Sequence, residues 1–210
     1  MKWQLFETIN EKLEVHVRFF RLFIIKFLLI NIFQASALAA DIKALKKLFE
    51  STWTTNYVEG RCGLNIENLV SKAMDENIDL SGAQIIGLKD IGGWMFGMVN
   101  AVQAREATRF GPGETNWYFH VFLLAEGMVF DYDFTNSPRI ININEYMHEM
   151  YLPKEKWKDL KYKESKMKLF ELELYPAEDY LYRLRARQSR SEVATKIRFK
   201  DYMPSFFTGR

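Results

Sequence analysis

The chain contains one cysteine, Cys62, and it is the first candidate for chemistry. A cysteine reacts through its thiolate, and a free thiol with a pKa of about 8.5 is mostly protonated at neutral pH. A helix N-terminus and a neighbouring imidazolium both favour the thiolate. Cys62 follows Gly60 and precedes apolar residues at helical spacing, so we expect it to begin a helix. Its flanks, EGRCGLN, are polar or glycine, unlike those of a cysteine packed as a small hydrophobe.

A thiolate nucleophile needs a histidine as its proton carrier, and the chain has three. His16 lies in the N-terminal leader, and His148 lies on a short amphipathic helix. His120 lies on an apolar strand, WYFHVFLL, and is therefore the candidate by elimination. The alternative is that His120 is a histidine of the hydrophobic core with no catalytic role.

A carboxylate is expected to orient the imidazole, and Asp131 and Asp133 are the candidates. The segments WYFHVFLL and MVFDYDF predict a hairpin. A two-residue turn at Glu126-Gly127, which the glycine favours, places His120 opposite Asp133. A three-residue turn would instead put both aspartates on the other face. We therefore predict Asp133 as the orienting carboxylate, with Asp131 as the alternative.

An oxyanion hole usually combines a backbone N–H at the nucleophile with a second donor. The backbone N–H of Cys62 is the first candidate. The side chain of Asn56, six residues upstream, is the second candidate, with loop capping as its alternative role.

The apolar patterns place these residues on an α+β fold, with helices first and mainly antiparallel strands after them. Helices are predicted at Ile42 to Thr52, near Cys62 to Asn77, over 143–152 and over 177–188. Strands are predicted over Gln84 to Leu88, 117–124, 128–134, 166–175 and 195–202.

Three segments resemble the papain-like cysteine enzymes of the transglutaminase and protein-glutaminase type: GRCGLNIENLV around Cys62, WYFHVFLL around His120, and FDYDFT around Asp133. The WxxHV pattern is similar to the histidine strand of protein glutaminases, and D-x-T to the end of the aspartate strand. The similarity covers roughly residues 53 to 140. Asn56 departs from the family's glutamine at the corresponding upstream position.

The resemblance implies a papain-like core, with the nucleophile at a helix N-terminus and an antiparallel sheet carrying the histidine and the aspartate. It implies an enzyme with the triad Cys62, His120 and Asp133 that deamidates protein glutamines or transfers their acyl group. A cysteine peptidase or cell-wall amidase is the alternative, and a non-catalytic exported binding protein is the second. We expect no cofactor and no metal, because three ligands this far apart lack the close spacing of structural zinc sites.

The N-terminus predicts an export signal. Arginines precede about a dozen apolar residues, and A-x-A patterns end at Ala37 and Ala39, so cleavage is expected near Ala39 or Ala40. The protein would then be periplasmic or secreted, and an uncleaved membrane anchor is the alternative. Residues 41–210 are predicted to form a single catalytic domain that includes residues 154–210 as a basic C-terminal part.

The charge distribution predicts no nucleic-acid partner. Residues 41–153 carry 9 basic and 15 acidic side chains, whereas residues 154–210 carry 15 basic and 9 acidic ones. Acidic residues interrupt every basic run, and no binding motif for nucleic acid is present. We expect a monomer that acts on protein or peptide substrates carrying glutamine side chains.

Overall fold

The computed structural model describes residues 40–91, 102–104, 109, 115–117, 119–168, 170–180 and 194–208. The predicted export signal and most of the predicted helix over 177–188 lie outside these residues. None of the helices in the described ranges is long and apolar enough to cross a membrane.

Two helices open the described chain: α1, Ile42–Thr52, and α2, Cys62–Asp75. The Asp41 carboxylate caps α1 by accepting the N–H of Ala44 at 2.9 Å. Each helix buries an apolar stripe at helical spacing: Leu45, Leu48 and Phe49 on α1, and Ile66, Leu69 and Val70 on α2. Both predicted helices are confirmed.

The central element is a six-stranded sheet with the strand order β6-β5-β4-β1-β7-β8. Every pairing in this sheet is antiparallel. Two further strands, β2 and β3, pair separately. The strands are β1 Gln84–Asp90, β2 Val102–Ala104, β3 Thr115–Trp117, β4 His120–Ala125, β5 Met128–Phe130, β6 Ile141–Asn142, β7 Phe170–Pro176 and β8 Thr195–Arg198.

The remaining helices are α3 Ile143–Tyr151, a 3₁₀ turn Lys154–Lys156, α4 Leu160–Met167, α5 Phe199–Tyr202 and α6 Ser205–Thr208. An antiparallel sheet combined with these helices confirms the α+β class. The predicted helix over 143–152 is also confirmed.

The sheet is covered on both faces, and β4 shows how its side chains divide. Val121, Leu123 and Ala125 pack with the side chains of α1 and α2. Phe122 and Leu124 point the other way and pack with those of α3 and of the C-terminal elements. The alternation follows the period of two in a strand, and burial on both faces explains why β4 is apolar throughout.

The β4–β5 hairpin has the predicted two-residue turn. Leu123 pairs with Phe130 and Ala125 pairs with Met128. Glu126 and Gly127 adopt φ angles of 48° and 76°, which is the left-handed conformation of both central residues in a tight hairpin turn. The register expected from Glu-Gly is therefore confirmed.

Four strand predictions were wrong in extent, and the strand at Gln84 runs two residues past the predicted Leu88, to Asp90. The strand predicted over 128–134 ends at Phe130. The segment 117–124 is not one strand, because Thr115–Trp117 pairs with Val102–Ala104 and the hairpin strand begins at His120. The strand predicted over 166–175 begins at Phe170, since Leu160–Met167 forms α4. The strand predicted over 195–202 ends at Arg198, where α5 begins.

Candidate active site

Cys62 is the first residue of α2, as predicted. Gly60 has φ +68° and nothing within 4 Å of the position a Cβ would take, so the backbone conformation and not crowding requires glycine here. Arg61 occupies the N-cap, but no side chain caps the helix, and its first turn contains no acidic residue. The first N–H groups of this helix therefore have no side-chain acceptor.

Asn65, which the sequence interpretation overlooked, fixes the segment that leads into this helix. Its Oδ1 accepts the N–H of Val58 at 2.8 Å, and its Nδ2 donates to the carbonyl of Val58 at 3.0 Å. Asn65 is fully buried on the apolar side of α2. A polar residue at an apolar position of the helix could have indicated a buried hydrogen bond, although the sequence does not reveal its partner.

His120 is the first residue of β4 and is completely buried. It lies opposite Leu88 of β1, so neighbouring strands fix its backbone. Helix α2 packs against β4, and this packing brings Cys62 to the imidazole.

The carboxylate that binds His120 is that of Asp131, not that of Asp133 as predicted. Asp131 Oδ2 lies 2.8 Å from His120 Nε2. The hairpin pairing ends at Phe130, and Asp131 Oδ1 accepts the N–H of Asp133 at 2.9 Å. This Asx turn bends the chain before Asp133 can reach the position opposite His120.

Asp131 is also held by Tyr146, a residue of α3 that the sequence interpretation did not single out. The Tyr146 hydroxyl donates to Asp131 Oδ2 at 2.7 Å. Burial and the nearby Asp131 carboxylate raise the pKa of Tyr146 well above its ordinary value, so this hydroxyl stays a donor. Asp131 thus accepts hydrogen bonds from an imidazole, a phenol and a backbone N–H.

The imidazole of His120 favours its protonated form. Burial lowers the pKa of His120, but the charge of Asp131, its hydrogen bond and the neighbouring Tyr151 together outweigh this effect, and the net pKa is raised well above its ordinary value. The interaction with the Cys62 thiol raises it further. A charged imidazole is the partner that a thiolate requires.

Asp133 lies near Cys62 and His120, but it is not the hydrogen-bond partner of His120. One ligand atom each from Cys62, His120 and Asp133 lies within 4.8 Å of the others, and all three residues are buried. The structure therefore brings the three predicted residues together and adds Asp131 behind the imidazole. The same sulfur, nitrogen and oxygen atoms form a donor set that a zinc ion accepts.

Arg109 and Tyr57 support Asp133. The N–H of Arg109 donates to the carbonyl of Asp133 at 2.8 Å. The Arg109 guanidinium lies 3.7 Å from the ring centroid of Tyr57 and 4.5 Å from that of Trp53. The sequence interpretation missed these residues, because nothing in their local pattern indicates the contact.

Burial raises the pKa of Asp133 to about 6, and the Asp131 carboxylate adds to this rise. The charge of His120, the Tyr57 hydroxyl and the charge of Arg109 oppose it. Conversely, burial and Asp133 raise the pKa of Tyr57. Asp133 therefore changes its charge near neutral pH.

Asn56, the predicted oxyanion donor, lies beside Tyr132. Its backbone N–H donates to Thr52 at 2.9 Å, and its Nδ2 is shielded from solvent without a hydrogen-bond partner among the described residues. Burial raises the pKa of Tyr132, and the Thr52 and Asn56 side chains partly oppose the rise. Its part in an oxyanion hole stays a prediction.

A cavity of about 230 Å³ lies elsewhere, where residues 80–84 meet residues 176–179. Gln84, in its wall, is four residues along β1 from Leu88, the partner of His120. That separation is roughly 14 Å along a strand, so we do not assign the cavity to this site.

No protein-family model matches the chain, and no curated protein matches it either.

Proposed function

We propose that the protein is a papain-like thiol enzyme that hydrolyses the side-chain carboxamide of glutamine in proteins or peptides. The observation that carries the proposal is the buried array of Cys62 at a helix N-terminus, His120 beside it with a pKa raised well above its ordinary value, and Asp131 behind the imidazole. Each group has the partner that thioester chemistry needs: an anion-favouring helix end, a proton donor, and a carboxylate that fixes the tautomer.

In the first half-reaction the Cys62 thiolate attacks the carboxamide carbon, and an S–C bond forms as the carbonyl oxygen becomes an oxyanion. The backbone N–H of Cys62 and the side chain of Asn56 are the proposed donors to this oxyanion. The C–N bond then breaks, and the nitrogen takes the proton of the His120 ring nitrogen that Asp131 does not bind. Ammonia leaves, and a thioester remains.

In the second half-reaction water loses a proton to His120 and attacks the thioester carbon. The S–C bond breaks, the thiolate is restored with its imidazolium partner, and the glutamic acid product leaves and loses its proton to solvent. If a lysine amine intercepts the thioester instead of water, the product is a crosslink, as in transglutaminase-like acyl transfer. Neither route consumes a cofactor.

The first prediction tests this reaction with casein as a glutamine-rich substrate. The purified chain is expected to release ammonia without generating new N-termini, and Cys62→Ala is expected to abolish the release. Both products are measured in the same digest. New N-termini without ammonia would identify a cysteine peptidase or amidase, the alternative function, and would overturn deamidation.

Iodoacetamide labelling separates catalysis from the non-catalytic alternative of an exported binding protein. A thiolate paired with imidazolium is expected to be alkylated at pH 6 far faster than free cysteine, since ordinary thiols are protonated there. Asp131→Asn is the matched variant, because it removes the charge behind His120 and leaves Cys62 in place. Equal labelling rates for the protein and for free cysteine would contradict the proposal.

A zinc-dependent hydrolase is a second candidate, favoured by the donor atoms of Cys62, His120 and Asp133 within 4.8 Å of one another. The wide sequence spacing that argued against zinc has less weight here, because the fold brings the three residues together. Metal analysis of the purified protein decides between the two: one equivalent of zinc that Cys62→Ala removes would favour the metal enzyme.

We also propose that the protein is exported, because its N-terminus has the pattern of an export signal. A membrane anchor is the alternative. The proposed substrate is then a protein or peptide outside the cytoplasm. N-terminal sequencing of the exported protein tests the cleavage expected near Ala39 or Ala40.

A further inference from the structure

The Asp133 carboxylate is buried beside the Tyr57 hydroxyl and near the charges of His120 and Arg109, but one of its two oxygens remains unpaired. It is 1% exposed, and its Oδ1 accepts no hydrogen bond from any described residue. The Tyr57 hydroxyl lies beside the carboxylate, but it too makes no hydrogen bond of ordinary geometry among the described residues. Leaving a buried acceptor unpaired costs about 1–3 kcal/mol. An acceptor in this state is suited to a donor supplied by a ligand.

The carboxylate lies where the departing nitrogen of a substrate must be. Substrate carbon bonds to the Cys62 sulfur, and the nitrogen takes a proton from the His120 ring. A carboxylate oxygen of Asp133 lies within 4.8 Å of both the reacting sulfur and a His120 ring nitrogen. A group at that distance from both atoms can reach the substituents of the amide nitrogen.

The charges around Asp133 suit a hydrogen-bond donor that becomes a cation. Asp131 repels a negative charge on Asp133, whereas His120 and Arg109 favour one. When the imidazolium gives its proton to the leaving nitrogen, the site loses the positive charge of His120. The nitrogen then carries the hydrogen atoms that the carboxylate accepts.

We propose that Asp133 accepts an N–H of the substrate's amide nitrogen and thereby selects primary carboxamides over peptide bonds. The proposal rests on the proposed function and names the substrate class for that site. A primary carboxamide has two N–H bonds, one on the same side of the C–N bond as the carbonyl oxygen and one on the opposite side, and Asp133 accepts the first of these. A trans secondary amide keeps only the N–H on the opposite side, so its carbon substituent would leave the Asp133 acceptor unpaired or displace it.

The test compares two substrates of the full chain: a blocked glutaminyl dipeptide and the same dipeptide with an N-methylated side-chain carboxamide. Release of ammonia or of methylamine gives kcat/KM for each. The wild-type protein is expected to prefer the primary carboxamide by about tenfold or more, since a site built to bind one particular N–H rejects the analogue in which a methyl group replaces that hydrogen. Equal kcat/KM values would overturn the inference, and no variant is needed for that result.

Variants then separate recognition from chemistry. Asp133→Ala is expected to reduce the preference to about twofold or less by slowing the primary carboxamide, with Asp133→Asn retaining part of it through its amide oxygen. Asp131→Asn is the matched control and is expected to slow both substrates by the same factor. A preference unchanged in both Asp133 variants would overturn the inference.

The outcomes distinguish this inference from the proposed function. Turnover that requires Cys62 but shows no preference contradicts the role of Asp133 alone. Absence of turnover by the wild-type protein on both substrates refutes the proposed function, and the inference falls with it.

Discussion

Asp131 and Asp133 are separated by one residue and are equally buried, yet their surroundings differ. The side chain of Asp131 accepts from His120, from Tyr146 and from the backbone of Asp133. The described hydrogen bonds leave Oδ1 of Asp133 unpaired. The Asp131 carboxylate is therefore held by hydrogen bonds within the protein. The Asp133 carboxylate keeps an acceptor for a ligand, and the burial of this unpaired acceptor destabilises the folded state.

The second prediction measures that cost. The pKa of Asp133 rises from 3.8 unfolded to about 6 folded, so the native state binds its proton more tightly. Stability from this group is present below pH 3.8 and is lost as the pH rises through about 6. Asp133→Asn, which cannot ionise, is expected to raise the free energy of unfolding at pH 8 by up to about 3 kcal/mol.

Urea denaturation at pH 8 and at pH 4 checks this expectation. The stabilisation by Asp133→Asn should be largest at pH 8 and should shrink towards zero at pH 4, where Asp133 is mostly protonated in the native protein. Asn substitution at Asp131 is the control, because it removes a carboxylate with three hydrogen bonds and should destabilise at pH 8. A destabilising Asp133→Asn at pH 8 would contradict the assignment.

At the scale of single elements, the sequence predicted the hairpin but not the carboxylate that its last turn presents. Glu-Gly favours a two-residue turn, and the register of β4 on β5 follows from it. The register alone pointed to Asp133, because it assumed that β5 continued past Phe130. The Asx turn of Asp131 ends the strand, and such a side-chain hydrogen bond cannot be distinguished in the sequence from an ordinary strand aspartate.

The segment before α2 is a second element whose structure depends on one side chain. The third prediction is that Asn65→Ala destabilises the protein by about 1–3 kcal/mol, because it leaves the N–H of Val58 unpaired and removes one of the two donors to the carbonyl of Val58. The same change should slow the alkylation of Cys62, since Gly60 and Arg61 lose their anchor. Chemical denaturation and iodoacetamide kinetics measure the two effects.

Ser71→Ala, a polar-to-alanine change at a half-buried position of the same helix, provides the control. It should change neither stability nor alkylation by a comparable amount. If Asn65→Ala lost stability but kept the alkylation rate of Cys62, the segment would not be positioning the nucleophile.

Within the described sheet, the buried Glu173 carboxylate joins the neighbouring strands β1, β7 and β8 through ionic contacts. Glu173 of β7 accepts from Lys89 of β1 at 2.7 Å, and Lys196 of β8 lies 3.4 Å from the same carboxylate. Tyr175 donates to its other oxygen at 3.2 Å. This cluster links three adjacent strands of the sheet.

The fourth prediction concerns the pH dependence of this link. Burial raises the pKa of Glu173, but the charges of Lys89 and Lys196 outweigh it, and the net pKa is lowered from 4.5. Its stabilising contribution is therefore present above pH 4.5 and is lost as the pH falls through the folded pKa. Glu173→Gln should lower the midpoint of thermal unfolding at pH 7 and have little effect near pH 3.

Glu171→Gln, two residues earlier on β7 and half-buried, is the matched control and should show no comparable pH dependence. An equal loss of stability by Glu173→Gln at both pH values would show that packing and not charge explains the contribution.

Across the chain, the sequence predicted what local pattern determines. The helix at Cys62, the α+β class and the turn of the hairpin follow from apolar spacing and glycine. The roles of Tyr146, Arg109 and Asn65 depend on partners far apart in sequence, and no local pattern encodes these contacts. The predicted extents of β4, β5, β7 and β8 were wrong for a similar reason, since tertiary pairing decides where a strand ends.

The Glu126-Gly127 turn also limits which lengths of chain can separate the histidine from its carboxylate. Side chains in a strand alternate between the two faces of the sheet. One residue inserted into this turn would therefore turn the Asp131 side chain towards α1 and α2, away from His120. Natural insertions and deletions should therefore be excluded between these two residues, even though Glu126 itself is exposed. We therefore expect related sequences to keep the eleven-residue separation of His120 and Asp131 as strictly as they keep the two side chains.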